Sequence, residues 1–269
     1  MLQLSKSLKM NKILDIGSFW WYIYCMGIND NGYIRGLVGP LVSRKVGTKN
    51  YIQGKPHRVK QNVDTKKAGK DFGQASRAGA AIRQAFGLVH QELHDGQMGN
   101  RLNRQIYRAM KTNINDDRGT LCLNNCRLDR LVNFQFNENF HMQDALNIDP
   151  TVSLTKENQI EISFPIFDIN RALLLPKDCN AIAFKFHAFS FNFKEREFTE
   201  VKDEEWEIDI VYGQDPIPAK TISIPCNEFV GTPILVGFTI IYLYKNGRRC
   251  NVLNEVDCTP ATILAAFQL

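Results

Sequence analysis

Two groups of side chains have the types and spacing to do chemistry, and both fall in the helical region of the chain. His90 and His94 stand four apart in Val89-His90-Gln91-Glu92-Leu93-His94. On a helix this brings both imidazoles to one face, as a two-histidine metal site requires. Zinc peptidases place a glutamate directly after the first histidine, whereas here that position is Gln91 and Glu92 points elsewhere. A third ligand would have to fold in from Asp95 or His141. A surface pair at a helix end, where histidine suits the local dipole, is the simpler account, so no metal is assigned and His90 and His94 remain the candidates. In the second group, Arg101, Arg104, Arg108 and Lys111 recur at three, four and three residues, forming a basic stripe with no Asp or Glu at i±4. With Arg44, Lys45 and Lys49 in a glycine-rich segment, and Tyr33, Tyr51 and Tyr107 interleaved, these are the candidate anion- or nucleic-acid-binding residues. Phosphates ask for basic surface and bases for exposed rings. A solvated helix face is the plainer alternative.

Other chemistries find no foothold. Asp71-Phe72-Gly73 matches the kinase metal-binding tripeptide in letters only, since no glycine-rich nucleotide loop, strand lysine or His-Arg-Asp loop accompanies it. Neither phosphate-loop pattern is present, and there is no G-x-S-x-G elbow. Carboxylate runs such as Asp116-Asp117 and Asp203-Glu204-Glu205 lie in polar stretches without the burial that acid–base work needs. The seven cysteines are odd in number and thinly spread, unlike a disulfide scaffold. Cys122 and Cys126 are four apart and Cys250 and Cys258 eight apart, neither giving zinc-ribbon spacing. Buried thiols are expected, with Cys250 and Cys258 the first pair to suspect in an oxidising compartment. No cofactor is implied.

The charge is unevenly placed. Between Asn31 and Thr112 there are sixteen Lys/Arg against four Asp/Glu, about +12, while the whole chain is +5 and its remainder carries 17 basic against 24 acidic residues. Such asymmetry predicts unlike parts and an anionic partner for the basic one.

The elements that must position these residues are set by period and punctuation. Residues 1–30 form an N-terminal extension expected to be poorly ordered. Its basic and aromatic run resembles a signal peptide, but Asp15 interrupts it, no small-residue cleavage site comes after it, and Met26 opens the part that reads coherently. It is too short for a spanning helix. Residues 31–150 are a basic module. A small β-meander comes first, with strands at Leu41–Val46 and Lys49–Gln53 between glycine turns. Next comes one amphipathic helix on Ala75, Ala78, Ile82, Phe86, Val89 and Leu93, with Asp71 as its N-cap and Gly96 as its stop. A second helix spans about Met98 to Lys111. Phe134, Phe136 and Phe140 anchor the helical part to the β-rich remainder of the chain.

From 151 the period becomes two. Strands are predicted at Gln159–Phe164, Ala181–Phe193, Trp206–Tyr212, Thr221–Ile224 and Ile234–Tyr244, with an Asn-Gly hairpin returning into Arg249–Leu253. Phe184 and Phe186 fall on one face of their strand and Phe189, Phe191 and Phe193 on the other, which predicts a β-bulge near His187 and Ala188. The acidic run Glu195–Glu207 is expected as an exposed connection. The fold class is therefore α+β: a meander and helical pair, then an antiparallel immunoglobulin-like β-sandwich over 151–269.

The stretches Gly36-Leu-Val-Gly39-Pro40, Lys45-Val46-Gly47, Asp71-Phe72-Gly73-Gln-Ala-Ser76-Arg77 with Ile82-Arg83, and Phe134-Gln-Phe136-Asn137 together resemble a family of Bacteroidota proteins to which no activity is attached. The resemblance covers about Gly36 to Asn137, and the β-rich half is similar in character only. It implies the same order of parts and supports Met26 as the functional start. It carries over no catalytic residue. The sequence departs from that pattern in the 35 residues ahead of the first motif and in Ser43-Arg44, where the family usually has a glycine before its basic residue. The expected function is a non-enzymatic structural or interaction protein, with self-association or a protein partner. Nucleic-acid binding through the basic helix face is the alternative, and a metal-dependent or other enzyme stands third. Cytoplasm is the default compartment, and no transmembrane segment is predicted.

Overall fold

The computed structural model describes residues 27–55, 60–113, 116–211, 213–229, 231–254 and 259–268. Of the extension expected over residues 1–30, residues 1–26 lie outside the described residues, as does the thiol of Cys258, whereas Gly27–Asp30 form a paired β-strand. The described chain is a mixed α+β protein with antiparallel sheets, and it divides into two compact units, Met1–Gln61 and Asn62–Leu269.

The first unit is built by its turns. Asn31 and Gly32 (φ 51° and 83°), Gly39 (φ 56°) and Gly47 (φ 62°) occupy left-handed backbone between short strands. They connect β1 (Gly27–Asp30), β2 (Tyr33–Val38), β3 (Leu41–Val46) and β4 (Lys49–Gly54) into an antiparallel sheet in chain order.

The second unit is layered. Its helices are α1 (Val63–Ala85), α2 (Gly87–His90), α3 (Met98–Met110), α4 (Met142–Ala145) and α5 (Ile169–Ala172). Its strands are β5 (Thr151–Leu154), β6 (Gln159–Phe164), β7 (Ala181–Asn192), β8 (Glu197–Asp209), β9 (Lys220–Pro225), β10 (Pro233–Asn246), β11 (Arg249–Val252) and β12 (Ala261–Gln268). A five-stranded sheet runs β11-β10-β7-β8, with β12 also paired to β10, and a three-stranded sheet runs β5-β6-β9. The two sheets share a core of Ile160, Ile162, Phe164, Ile222 and Ile224 against Ile182, Phe184, Phe186, Phe238 and Ile240. Phe164 stacks on Phe184 at 5.4 Å, and Trp206 meets both rings edge-on at 5.5 Å. The opposite face of the large sheet is covered by the helices, through Ala78, Ile82, Phe86 and Ile106 against Phe189, Phe191, Leu235 and Ile263. Phe134 and Phe136 belong to this second core, on a segment hydrogen-bonded to β12.

That double covering explains the phenylalanine pattern of β7. Phe184 and Phe186 point at the small sheet and Phe189 and Phe191 at the helices, so alternation continues and the change of ringed face marks where the helical layer begins. The pairing of β7 with β10 is unbroken from Ala181 to Ser190. A bulge does fall at Ala188/Phe189, but the extra residue is Val201 on β8.

Two further expectations are corrected. The first helix begins at Val63 behind Asn62, whose side chain accepts from the Thr65 N–H at 2.7 Å, and it ends at Ala85 instead of running on to Gly96. Asp71 is buried inside that helix, where it accepts hydrogen bonds from the distant Gly119 and Leu121 amides. The acidic run is itself strand β8, with Trp206 and Ile208 turned inward and Asp203, Glu205, Glu207 and Asp209 outward. Lys185 pairs with Glu205 at 2.9 Å and Lys245 with Asp209 at 2.6 Å, while Lys245 also holds Glu207. Among the described residues β8 has no strand hydrogen-bonded to its outer side.

Candidate functional site

Helix α3 buries Met98, Leu102, Ile106, Ala109 and Met110, which turns Arg104, Arg108 and Lys111 to solvent. Arg101 is set apart from them. It pairs with Asp95 and with Glu138, donates to the Gln135 carbonyl at 2.9 Å, and lies 5.2 Å from the Phe134 ring centre. Its acidic partner at i−6 lies beyond the i±4 positions that define a helix face. Burial pulls the Asp95 carboxyl upward, but the Arg101 guanidinium and the Gln97 and Glu138 amides outweigh it and hold the group below the usual range. Arg101 is thus a staple between α3 and the Phe134 segment. Arg104 and Arg108 form no ion pair among the described residues, and the Lys111 ammonium stands 4.4 Å over the Tyr107 ring.

Tyr107 also meets Phe72 of α1, edge-on at 6.4 Å. Phe72 is 56 % exposed, although it is the largest apolar residue in its turn of the helix. The two helices approach closely because Gly79 faces α3. A Cβ there would fall 2.1 Å from Asn103 Oδ1. The pairing of Phe72 with Tyr107 is absent from the sequence reading, and its one signal is a phenylalanine outside the apolar stripe of Ala75, Ala78 and Ile82.

The meander cations do not share one face. Arg44 is opposite Tyr51 and Lys49 opposite Val46, on the same side of the sheet, whereas Lys45 pairs with Asn50 on the other. That other side carries Ile34, Val38, Leu41 and Ile52, which with Ser43 and Asn50 line a shallow cavity of about 380 Å³.

His90 and His94 are brought together by the turn that closes α2. Their rings meet edge to face at 5.1 Å and 82°. His90 Nδ1 accepts from the Glu92 N–H at 3.1 Å, and His94 Nδ1 lies 3.1 Å from the Asp95 carbonyl oxygen. Among the described residues no group of three His, Cys, Asp or Glu could hold a metal ion. Burial, then the neighbouring His94, lowers the pKa of His90 below 6.5. The unfolded chain therefore binds a proton at this position before the folded chain does. Stability is expected to fall as pH drops below 6.5 toward the depressed folded value, and His90→Gln should flatten that limb in urea midpoints measured between pH 7 and pH 5. An unchanged slope in the variant would remove His90 as its source.

Cys126 donates its thiol to the Cys122 carbonyl at 2.8 Å, and burial, with Asp116 and Cys122 nearby, pushes it up to about 11, so it is an unreactive thiol at neutral pH. Cys122, Cys179 and Cys226 are free as well, and Cys250 is free and exposed. Among the described residues no helix is long and apolar enough to cross a membrane. Compared with protein-family models and with curated proteins, the chain matches none.

Proposed function

We propose that the protein is a non-enzymatic interaction protein that associates with a second copy of itself through the less charged, apolar face of the meander. In this reading the facing sheets of the second unit form an immunoglobulin-like sandwich that serves as scaffold. The shared core of two antiparallel sheets supports the sandwich.

The exposure of the meander carries the association. Ile28, Tyr33, Ile34, Val38, Leu41, Val46, Tyr51 and Ile52 are between 42 % and 71 % exposed, so this four-stranded sheet buries neither face. A small sheet needs one covered apolar face to offset the entropy of ordering its strands. The choice of face follows from charge. Arg44 and Lys49 stand on one side, where two copies would oppose like charges. The Ile34, Val38, Leu41 and Ile52 side carries Lys45 alone near its rim, so a copy of the same basic sheet can approach it. Edge strand β4 has no partner on its outer side among the described residues, which leaves room for the sheet to be extended as well.

Light scattering coupled to gel filtration tests this on the full chain across a concentration series. A dimer is expected, and Ile52→Lys should raise its dissociation constant about a hundredfold by placing a charge in the apolar contact, while Arg44→Ala changes it little. A monomer at every concentration, or an Ile52→Lys variant that associates like the parent, overturns the proposal.

A further inference from the structure

We infer that the outer face of the α1–α3 pair binds single-stranded nucleic acid, with Phe72 as the stacking ring, Tyr107 as its brace, and Arg104, Arg108 and Lys111 as phosphate contacts. The inference rests on α1 and α3 alone and is independent of association through the meander.

Three observations converge on it. The first is the ring. Phe72 is more than half exposed while Ala75, Ala78 and Ile82 of the same helix are buried, and Tyr107 holds it edge-on without covering it. An open phenyl face offers a base about 1–3 kcal/mol of stacking, whatever the base. The second is uncompensated charge. Arg104 and Arg108 are exposed without an acidic partner among the described residues, and Lys111 leans over Tyr107, which places a cation beside the rings. The third is composition: α3 carries four basic or aromatic side chains on its outer turns and no Asp or Glu anywhere along Met98–Met110. The α3 face thus keeps its charge for a ligand from outside the chain.

The rings decide between single strand and duplex. In a duplex the bases are stacked inside and would leave Phe72 idle, whereas a single strand can unstack a base onto it while its phosphates meet the arginines. Arg101 is excluded from the site because its guanidinium is held by Asp95 and Glu138.

Fluorescence anisotropy of labelled oligo-dT and oligo-U, with a duplex of equal length, tests the inference on the full chain over a salt series. The single strands should bind more tightly than the duplex. The triple variant Arg104→Ala/Arg108→Ala/Lys111→Ala should reduce the slope of log affinity against log salt by about 2, at about 0.7 per phosphate contact. Phe72→Ala, an exposed change that spares the core, should weaken binding about tenfold without altering that slope. Absence of binding at low salt, equal or tighter binding of duplex, a slope that the triple variant leaves intact, or an affinity indifferent to Phe72→Ala each overturns it.

Discussion

Gly237→Val is expected to lower the stability of the protein by about 3 kcal/mol and its melting temperature by roughly 10 °C. Gly237 lies in the middle of β10, on the face that receives the helices. A Cβ at this position would come within 2.4 and 2.6 Å of the Phe86 ring and 2.9 Å of Val89. Phe86 is fully buried and packs against Phe136, Phe189 and Phe191, so it has nowhere to retreat. The missing side chain is the seat of that ring, and filling it pries the helical layer from the sheet. A double variant with Phe86→Leu, which shortens the obstructing side chain, should lose less than the sum of the two single changes, by about 1 kcal/mol or more. Strict additivity in thermal melts would show that the two positions do not compete for space.

Asp71→Ala should cost about as much, near 3 kcal/mol in urea unfolding, for a different reason. Asp71 is 1 % exposed in the middle of α1, and its carboxylate accepts from the Gly119 N–H at 2.9 and 3.0 Å and from the Leu121 N–H at 3.3 Å. It fixes the loop that comes after α3, where Gly119 has φ 98° and packs on Lys67 of α1. Alanine leaves the buried Leu121 amide and the half-buried Gly119 amide without their acceptor. Asparagine would retain one carbonyl there, so Asp71→Asn is expected to lose only about 1 kcal/mol. Equal losses for the two substitutions would mean that packing, and not hydrogen bonding, sets the cost. If neither substitution is felt, the loop is not held by this residue.

The regular parts of the fold are legible because period and punctuation agree there. β6 lies at Gln159–Phe164 as expected, β3 at Leu41–Val46, and the second helix ends one residue short of its predicted stop. The illegible parts involve residues whose role depends on something remote in sequence. Asp71 has the chemistry of an N-cap, and nothing nearby reveals that its partners lie 48 and 50 residues away. The acids of β8 read as a solvent-facing connection because the apolar residues that would show a strand period are few. β5 and β12 escape notice for complementary reasons. Thr151–Leu154 is very short, and Ala261–Gln268 carries small residues whose fit under the helices is set by tertiary packing, not by propensity. At the candidate surface the charges are legible and their neutralisation is not. Arg101 repeats with Arg104 and Arg108, yet its position at the edge of α3 hands it to Asp95 and Glu138.

The open side of β8 has a further consequence. Seven carboxylates and a single lysine line its thirteen residues. Two such edges meeting in register would bring like charges to within about 5 Å, so this free hydrogen-bonding ladder, the longest among the described residues of the second unit, is guarded against its own image. The meander has no comparable guard at β4, where Lys49 is the one ionised side chain. Growth of this molecule through the β8 edge is thereby opposed by the charge of that edge itself.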